Sequence, residues 1–123
     1  MKIYAGTREG YAADVTVNGR PLNPRLDLWN HSPTGFEWGY GGSGPAQLAL
    51  ALLADHLGDD EEAVELHQEF KRAVIAELPR RGWTLTSEQI RRAVDALRIG
   101  SPPSLNVLST QKGADDGRSL FHL

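Results

Sequence analysis

Two patterns of apolar positions divide the chain. Over the first 40 residues short apolar and polar alternations are separated by turn residues, and from Pro45 onward apolar side chains recur at helical spacing. Val15-Thr16-Val17 runs into Asn18-Gly19, a dipeptide that tolerates the positive φ angles of a type I′ turn, and Arg20-Pro21-Leu22 follows. This predicts a hairpin, with Pro21 confined to an edge because proline donates no ladder hydrogen bond. Residues 2–7 supply a partner strand. Leu26-Asp27-Leu28-Trp29 alternates weakly, Ser32-Pro33-Thr34-Gly35 reads as a tight turn, and Phe36-Glu37-Trp38-Gly39-Tyr40 alternates cleanly. That last alternation predicts a strand with Phe36, Trp38 and Tyr40 on one sheet face.

The helical half begins at Pro45, which suits a first helical position, with Gly44 or Ser43 as cap and Gln47 able to reach back. The run AQLALALLA, residues 46–54, is apolar on almost every side except at Gln47, so the helix over about 45–57 should be buried. A second helix is predicted over 59–78, with Asp59, Asp60, Glu61 and Glu62 in its first turn and Lys71 and Arg72 towards its end, a charge order that matches the helix dipole. Ala63, Leu66, Phe70, Ala73, Val74 and Leu78 form its buried stripe, and Pro79 with Gly82 stops it. Trp83-Thr84-Leu85 is short and extended. Thr86 and Gln89 then make a capping box and Leu85 and Ile90 a hydrophobic staple, which sets the start of a third helix over about 87–98. The expected fold is therefore α+β: a small antiparallel sheet within residues 1–40, packed by three helices. One domain over 1–98 is expected, with an irregular tail over 99–123 whose few apolar groups lie among Ser, Gly and Asp.

Composition narrows the function. The 123 residues suffice for one modest core, and no apolar stretch reaches the length a membrane crossing needs; the N-terminal residues lack a secretory pattern, so a cytoplasmic protein is expected. Without cysteine there is no thiolate nucleophile and no cysteine-ligated metal. A net charge of -3 argues against sequence-independent DNA binding, which needs a positive face to displace counterions. That total hides a segregation: residues 46–78 carry two basic and eight acidic side chains, residues 79–98 five basic and two acidic.

Several constellations bear on chemistry. Gly41, Gly42, Ser43 and Gly44 lie between a predicted strand and a helix, where exposed N–H groups can hold an anion. A dinucleotide site would also need a parallel strand after the helix, and a P-loop would need Lys-Ser or Lys-Thr after the last glycine, where Pro45 stands. A tight strand-to-helix crossing is the favoured role for these glycines. The aromatic triplet could stack bases, but the apolar helix that follows needs a partner, which favours core packing. The histidines, His31, His56, His67 and His122, have no metal-ligand spacing; His56 near Asp55, Asp59 and Asp60 is the one ligand-like cluster, and a solvated helix end is the simpler reading. Ser32 or Ser43 with His31 and Asp27 or Glu37 makes a catalytic set only on paper, and no residue is assigned a catalytic role and no metal or cofactor is expected. The strongest polar candidate is the basic cluster Arg80, Arg81, Arg91, Arg92 and Arg98, which either binds a partner or faces the acidic second helix.

The run from Ser32 to Leu50, SPTGFEWGYGGSGPAQLAL, resembles the shared block of a family of small, functionally uncharacterised proteins of bacteria, phages and plasmids. Phe70-Lys71 and Leu85 with its following helix extend the resemblance over about residues 1–98. It implies a mobile-element association and brings no reaction, cofactor or catalytic residue. Together these observations favour a non-enzymatic module that docks on a protein or nucleoprotein, such as a host defence or nucleic-acid-processing complex. Direct nucleic-acid binding is a weaker reading. The alternative is a phosphate- or nucleotide-binding protein using the glycine-rich loop of residues 39–44.

Overall fold

The computed structural model describes residues 1–100. The tail expected over 99–123 and His122 thus lie outside the described residues, apart from Ile99 and Gly100. A four-stranded antiparallel sheet is built from β1 (Ile3–Glu9), β2 (Ala12–Val17), β3 (Arg20–Pro21) and β4 (Gly82–Thr86), in the order β3-β2-β1-β4. Three helices accompany it: α1 (Ser43–Leu57), α2 (Asp60–Ala73) and α3 (Ser87–Arg98), with a 3-10 turn over Ile75–Glu77. The fold is α+β, as the pattern of apolar positions predicted. None of these helices is long and apolar enough to cross a membrane.

The hairpin turn forms as its sequence requires. Asn18 and Gly19 both take positive φ, at 50° and 82°, and the Asn18 side chain accepts from the Ile3 amide at 2.9 Å while the Asn18 amide donates back to the Ile3 carbonyl. β3 is only two residues long, so it covers β2 at Thr16 and Val17 alone. The fourth strand comes from the far half of the chain. It pairs Trp83 opposite Gly6, and the indole lies across the glycine so closely that a Cβ there would sit 2.4 Å from the ring. Only glycine leaves room for that ring.

α1 is the spine of the core. Every residue of α1 from Gly44 to Ala54 is buried, and one cluster joins its leucines and alanines to Tyr4, Val15 and Leu85 of the sheet, Phe70 of α2 and Ile90 and Val94 of α3. A helix apolar on all sides needs neighbours on all sides, and here the helices and the sheet supply them. Gly58 closes α1 with its amide on the Ala54 carbonyl, and Asp59 caps α2 by accepting from the Glu62 amide. At α3 both halves of the Thr86–Gln89 capping box are present, the predicted start of that helix.

Two departures matter for the site. The second helix was expected to run to residue 78, but α geometry ends at Ala73 and the chain tightens through the 3-10 turn into Leu78, which is extended as a residue before proline must be. The Ile75 carbonyl, which accepts the Leu78 amide at the end of this turn, also accepts from the Gly39 amide at 3.0 Å. The second departure is at Phe36–Glu37–Trp38–Gly39–Tyr40, which forms no strand. Gly35 and Gly39 take φ of 136° and 89°, breaking the extended path at both ends, and the aromatics part company: Trp38 is fully buried, Phe36 is half-buried and Tyr40 is 44% exposed. The segment over 22–42 is instead a long strap without regular secondary structure, and the sheet expected within residues 1–40 takes its fourth strand, β4, from Gly82–Thr86.

Candidate functional site

A strap of this length must satisfy its backbone from elsewhere, and Gln47 does much of that. Gln47 was expected to help cap α1; its side chain, fully buried, points across to the strap instead. Its Oε1 accepts from the amides of His31 (2.7 Å) and Ser32 (3.0 Å), and its Nε2 donates to the carbonyls of Pro24 (2.7 Å) and Trp29 (3.0 Å). Four bonds use the whole capacity of a carboxamide. The α1 N-terminus itself begins two residues before Pro45, with Gly42 as its cap residue and no side-chain cap.

Further anchors hold the strap along its length. Arg25 reaches both Asp27 and Asp60 of α2. Trp38 donates its indole N–H to the Arg80 carbonyl at 3.0 Å and meets Trp83 edge-on, with ring centres 5.6 Å apart. Arg8 lies over the Trp38 ring and makes a two-pronged bond to the Glu37 carboxylate, which holds that carboxyl below its usual range. Gly39 passes so near the chain after α2 that a Cβ would come 2.8 Å from Arg80 Cγ and 3.3 Å from the Leu78 carbonyl. Gly39 thus serves a close crossing, whereas a Cβ at Gly41 would meet open space.

On one side the strap and the sheet enclose a groove of about 540 Å³. Tyr11 and Asp14 line it from the hairpin side, Phe36, Glu37 and Tyr40 from the strap, and Ser43 and Gly44 from the first turn of α1. Tyr11 is fully exposed, and Tyr40 has Arg80 over its ring at 6.0 Å. The β2 edge that borders this groove is uncovered. The Val15 carbonyl faces outward to accept from Leu22, so Ala13, two residues earlier, turns its N–H and C=O the same way, and β3 does not extend to it.

Of the proposed anion ligands, Ser43 and Gly44 line the groove while Gly41 and Gly42 do not. α1 has no acidic residue in its first turn, but the groove carries Asp14 and Glu37, and neither Arg8 nor Arg80 lines it. The arginine cluster is largely internal in its bonding. Arg91 pairs with Glu88 and Asp95 on its own helix, Arg92 with Glu88 at 3.5 Å, and Arg98 with Glu62 of α2 at 2.6 Å. Both Arg80 and Arg81 border the turn before β4, where Arg80 joins the groove rim through Tyr40.

The paper triad does not assemble. Ser32 Oγ donates to the Gly35 carbonyl, Asp27 binds Arg25 and Glu37 binds Arg8. Around His56, Asp55 accepts from Tyr4 and Lys2, Asp59 caps α2 and Asp60 holds Arg25. Among the described residues no group of three or more His, Cys, Asp or Glu side chains is placed to hold a metal.

One juxtaposition was not legible from spacing. His31 of the strap and His67 of α2 bring their Nε2 atoms to 3.0 Å, with the exposed indole of Trp29 stacked on the His31 ring at 4.8 Å and 12°. His67 is buried, and its Nδ1 lies 2.6 Å from the Val64 carbonyl, to which it donates. Its Nε2 is therefore an acceptor, and the His31 Nε2–H donates to it. Burial is the chief cause that lowers the pKa of both rings, and the positive charge of Lys71 adds to it. The available sequence signal was indirect: a lone glutamine in the otherwise apolar run of residues 45–54 marks a place where another part of the chain must dock.

The chain belongs to the family of unknown function DUF6166, whose model matches residues 4–96. No curated protein and no solved structure matches it.

Proposed function

We propose that this member of that family is a non-enzymatic binding module that docks on a protein partner by taking an extended segment of it into the groove beside β2. The observation that carries this reading is the open β2 edge at Ala13, flanked by exposed Tyr11 and Tyr40. An extended peptide would gain main-chain hydrogen bonds at Ala13, each worth about 0.5–1.5 kcal/mol net, and rigid aromatic anchors from the two tyrosines. Asp14 in the lining favours a basic side chain on the visitor, since Glu37 is already paired with Arg8. The phage and plasmid company of the resembling proteins directs the reading towards a host defence or nucleic-acid-processing complex as the source of that segment. The groove is preferred to the arginine cluster as docking surface because three of those arginines already have carboxylate partners.

The test is selection of binders from a displayed random-peptide library on the full chain, followed by amide exchange of the complex. We expect peptides that protect the Ala13 amide and lose about 2 kcal/mol of affinity, roughly thirtyfold, with Tyr40→Ala. Charge reversal of Arg91, Arg92 and Arg98 should change that affinity little. Peptides whose binding ignores Tyr40→Ala and Tyr11→Ala but fails on the charge reversal would move the docking surface to the arginines.

A nucleotide at the α1 N-terminus is the second reading, supported by the absence of any side-chain cap there. Stabilisation by a millimolar nucleotide in a thermal-shift series, lost in Gly41→Pro, would favour it over the peptide groove.

A further inference from the structure

We propose that His31 and His67 form a two-histidine site for a divalent transition ion of the Zn2+ type, with water completing its coordination. The two Nε2 atoms converge at 3.0 Å. Two imidazole nitrogens on a tetrahedral Zn2+, each about 2.0–2.1 Å from it, stand about 3.3–3.4 Å apart, so the pair must open by a few tenths of an ångström and both rings must turn so that their lone pairs meet at the ion beside the line that now joins them.

Both rings are held before any ion arrives. His67 donates Nδ1–H to the Val64 carbonyl, the outer contact that metal-binding histidines commonly make, and this aims the Nε2 lone pair at His31. The His31 ring is braced flat against Trp29 and its backbone amide is tied to Gln47. The ion replaces the proton that joins the two rings. His31 gives up its Nε2 hydrogen and carries one on Nδ1, so both imidazoles bind as neutral ligands and no net proton need be released. With no thiolate in the chain, imidazole donors suit Zn2+, Ni2+ or Cu2+ rather than softer ions. His31 and Trp29 both reach solvent, which leaves the remaining positions of the ion open to water.

The test is titration of the full chain with Zn2+ alone, read by the long-range nitrogen spectra of the histidine rings, with Co2+ absorption as a second probe. We expect one ion per chain, and ring Nε2 signals of His31 and His67 that shift together. Affinity should fall by more than about tenfold in His31→Phe, which keeps a flat ring beside Trp29, and should persist in His56→Asn. His67 is buried and its loss endangers the fold, so the His31 variant carries the decision, with its circular dichroism confirming a folded chain. The proposal is overturned if millimolar Zn2+ leaves both rings unshifted, or if His31→Phe binds as well as the parent chain.

Discussion

The strap over 22–42 and the unit formed by β4 and α3 are both held in the same core, yet they owe their shapes to different things. In α3, which follows directly on β4, the instructions are local: Thr86 accepts from the Gln89 amide, Gln89 answers with its side chain, and the apolar stripe of Ile90, Ala93 and Val94 follows at helical spacing. In the strap the bonds come from afar, from Gln47, Ile75, Arg80 and His67. The strap is also where the groove tyrosine Tyr40 and the histidine of the paired rings sit. A segment shaped by distant partners can carry side chains to places that regular secondary structure would not reach.

The largest test of that contrast is Gln47→Leu. It keeps the helix apolar but strands four backbone groups of the strap, for a loss of about 3 kcal/mol or more in denaturant unfolding. The amides of His31 and Ser32 should then exchange quickly while those of α3 remain protected. Equal loosening of both regions would show that the strap is no separate unit. A middling effect is expected from Thr86→Ala, about 1 kcal/mol from the lost cap, felt by α3 and with no change in the exchange of His31 and Ser32. A coupled response in the strap would mean that the capping box shapes more than its own helix.

The smallest effect is a pH slope. Burial holds the pKa of His31, His67 and His56 below the ordinary value of 6.5, so the unfolded chain binds protons first as acid is added. Stability that is present above about pH 6.5 should therefore decline as the pH falls below it, before the carboxylates begin to titrate. Thermal unfolding between pH 7 and about pH 5.5 measures the slope. Part of it should survive in His56→Asn, because His31 and His67 remain; a slope abolished by that one substitution would remove the pair from this account.

Much of the fold was readable because its determinants are neighbours in the chain. Asn18-Gly19 set the hairpin, Asp59 and Thr86 set two helix starts, and the apolar run after Pro45, interrupted only by Gln47, marked the buried helix. The strand expected at residues 36–40 was misread for a physical reason. Period-two aromatics were present, but the Gly39 amide is bonded to the Ile75 carbonyl, and positive φ at Gly35 and Gly39 turned the chain away. The close crossing expected of the glycine-rich loop is found at Gly39, without the strand that was to precede it, and nothing local marked Ser43 and Gly44 as one wall of a groove. The arginine cluster was legible as charge, while its pairing within α3 and to Glu62 depended on helix rotation and packing.

By itself, then, the sequence determined an α+β chain with a hairpin at the start, a helix buried on every side and a capped third helix, because short-range sterics, capping bonds and apolar spacing act within a few residues. Only the tertiary structure decided that β4 completes the sheet, that Gln47 holds the strap, that Tyr11 and Tyr40 face one groove and that His31 meets His67. Those contacts join residues up to about eighty positions apart in the chain, such as Ile3 opposite Thr86, and no local pattern encodes which distant partner will be present when the core closes.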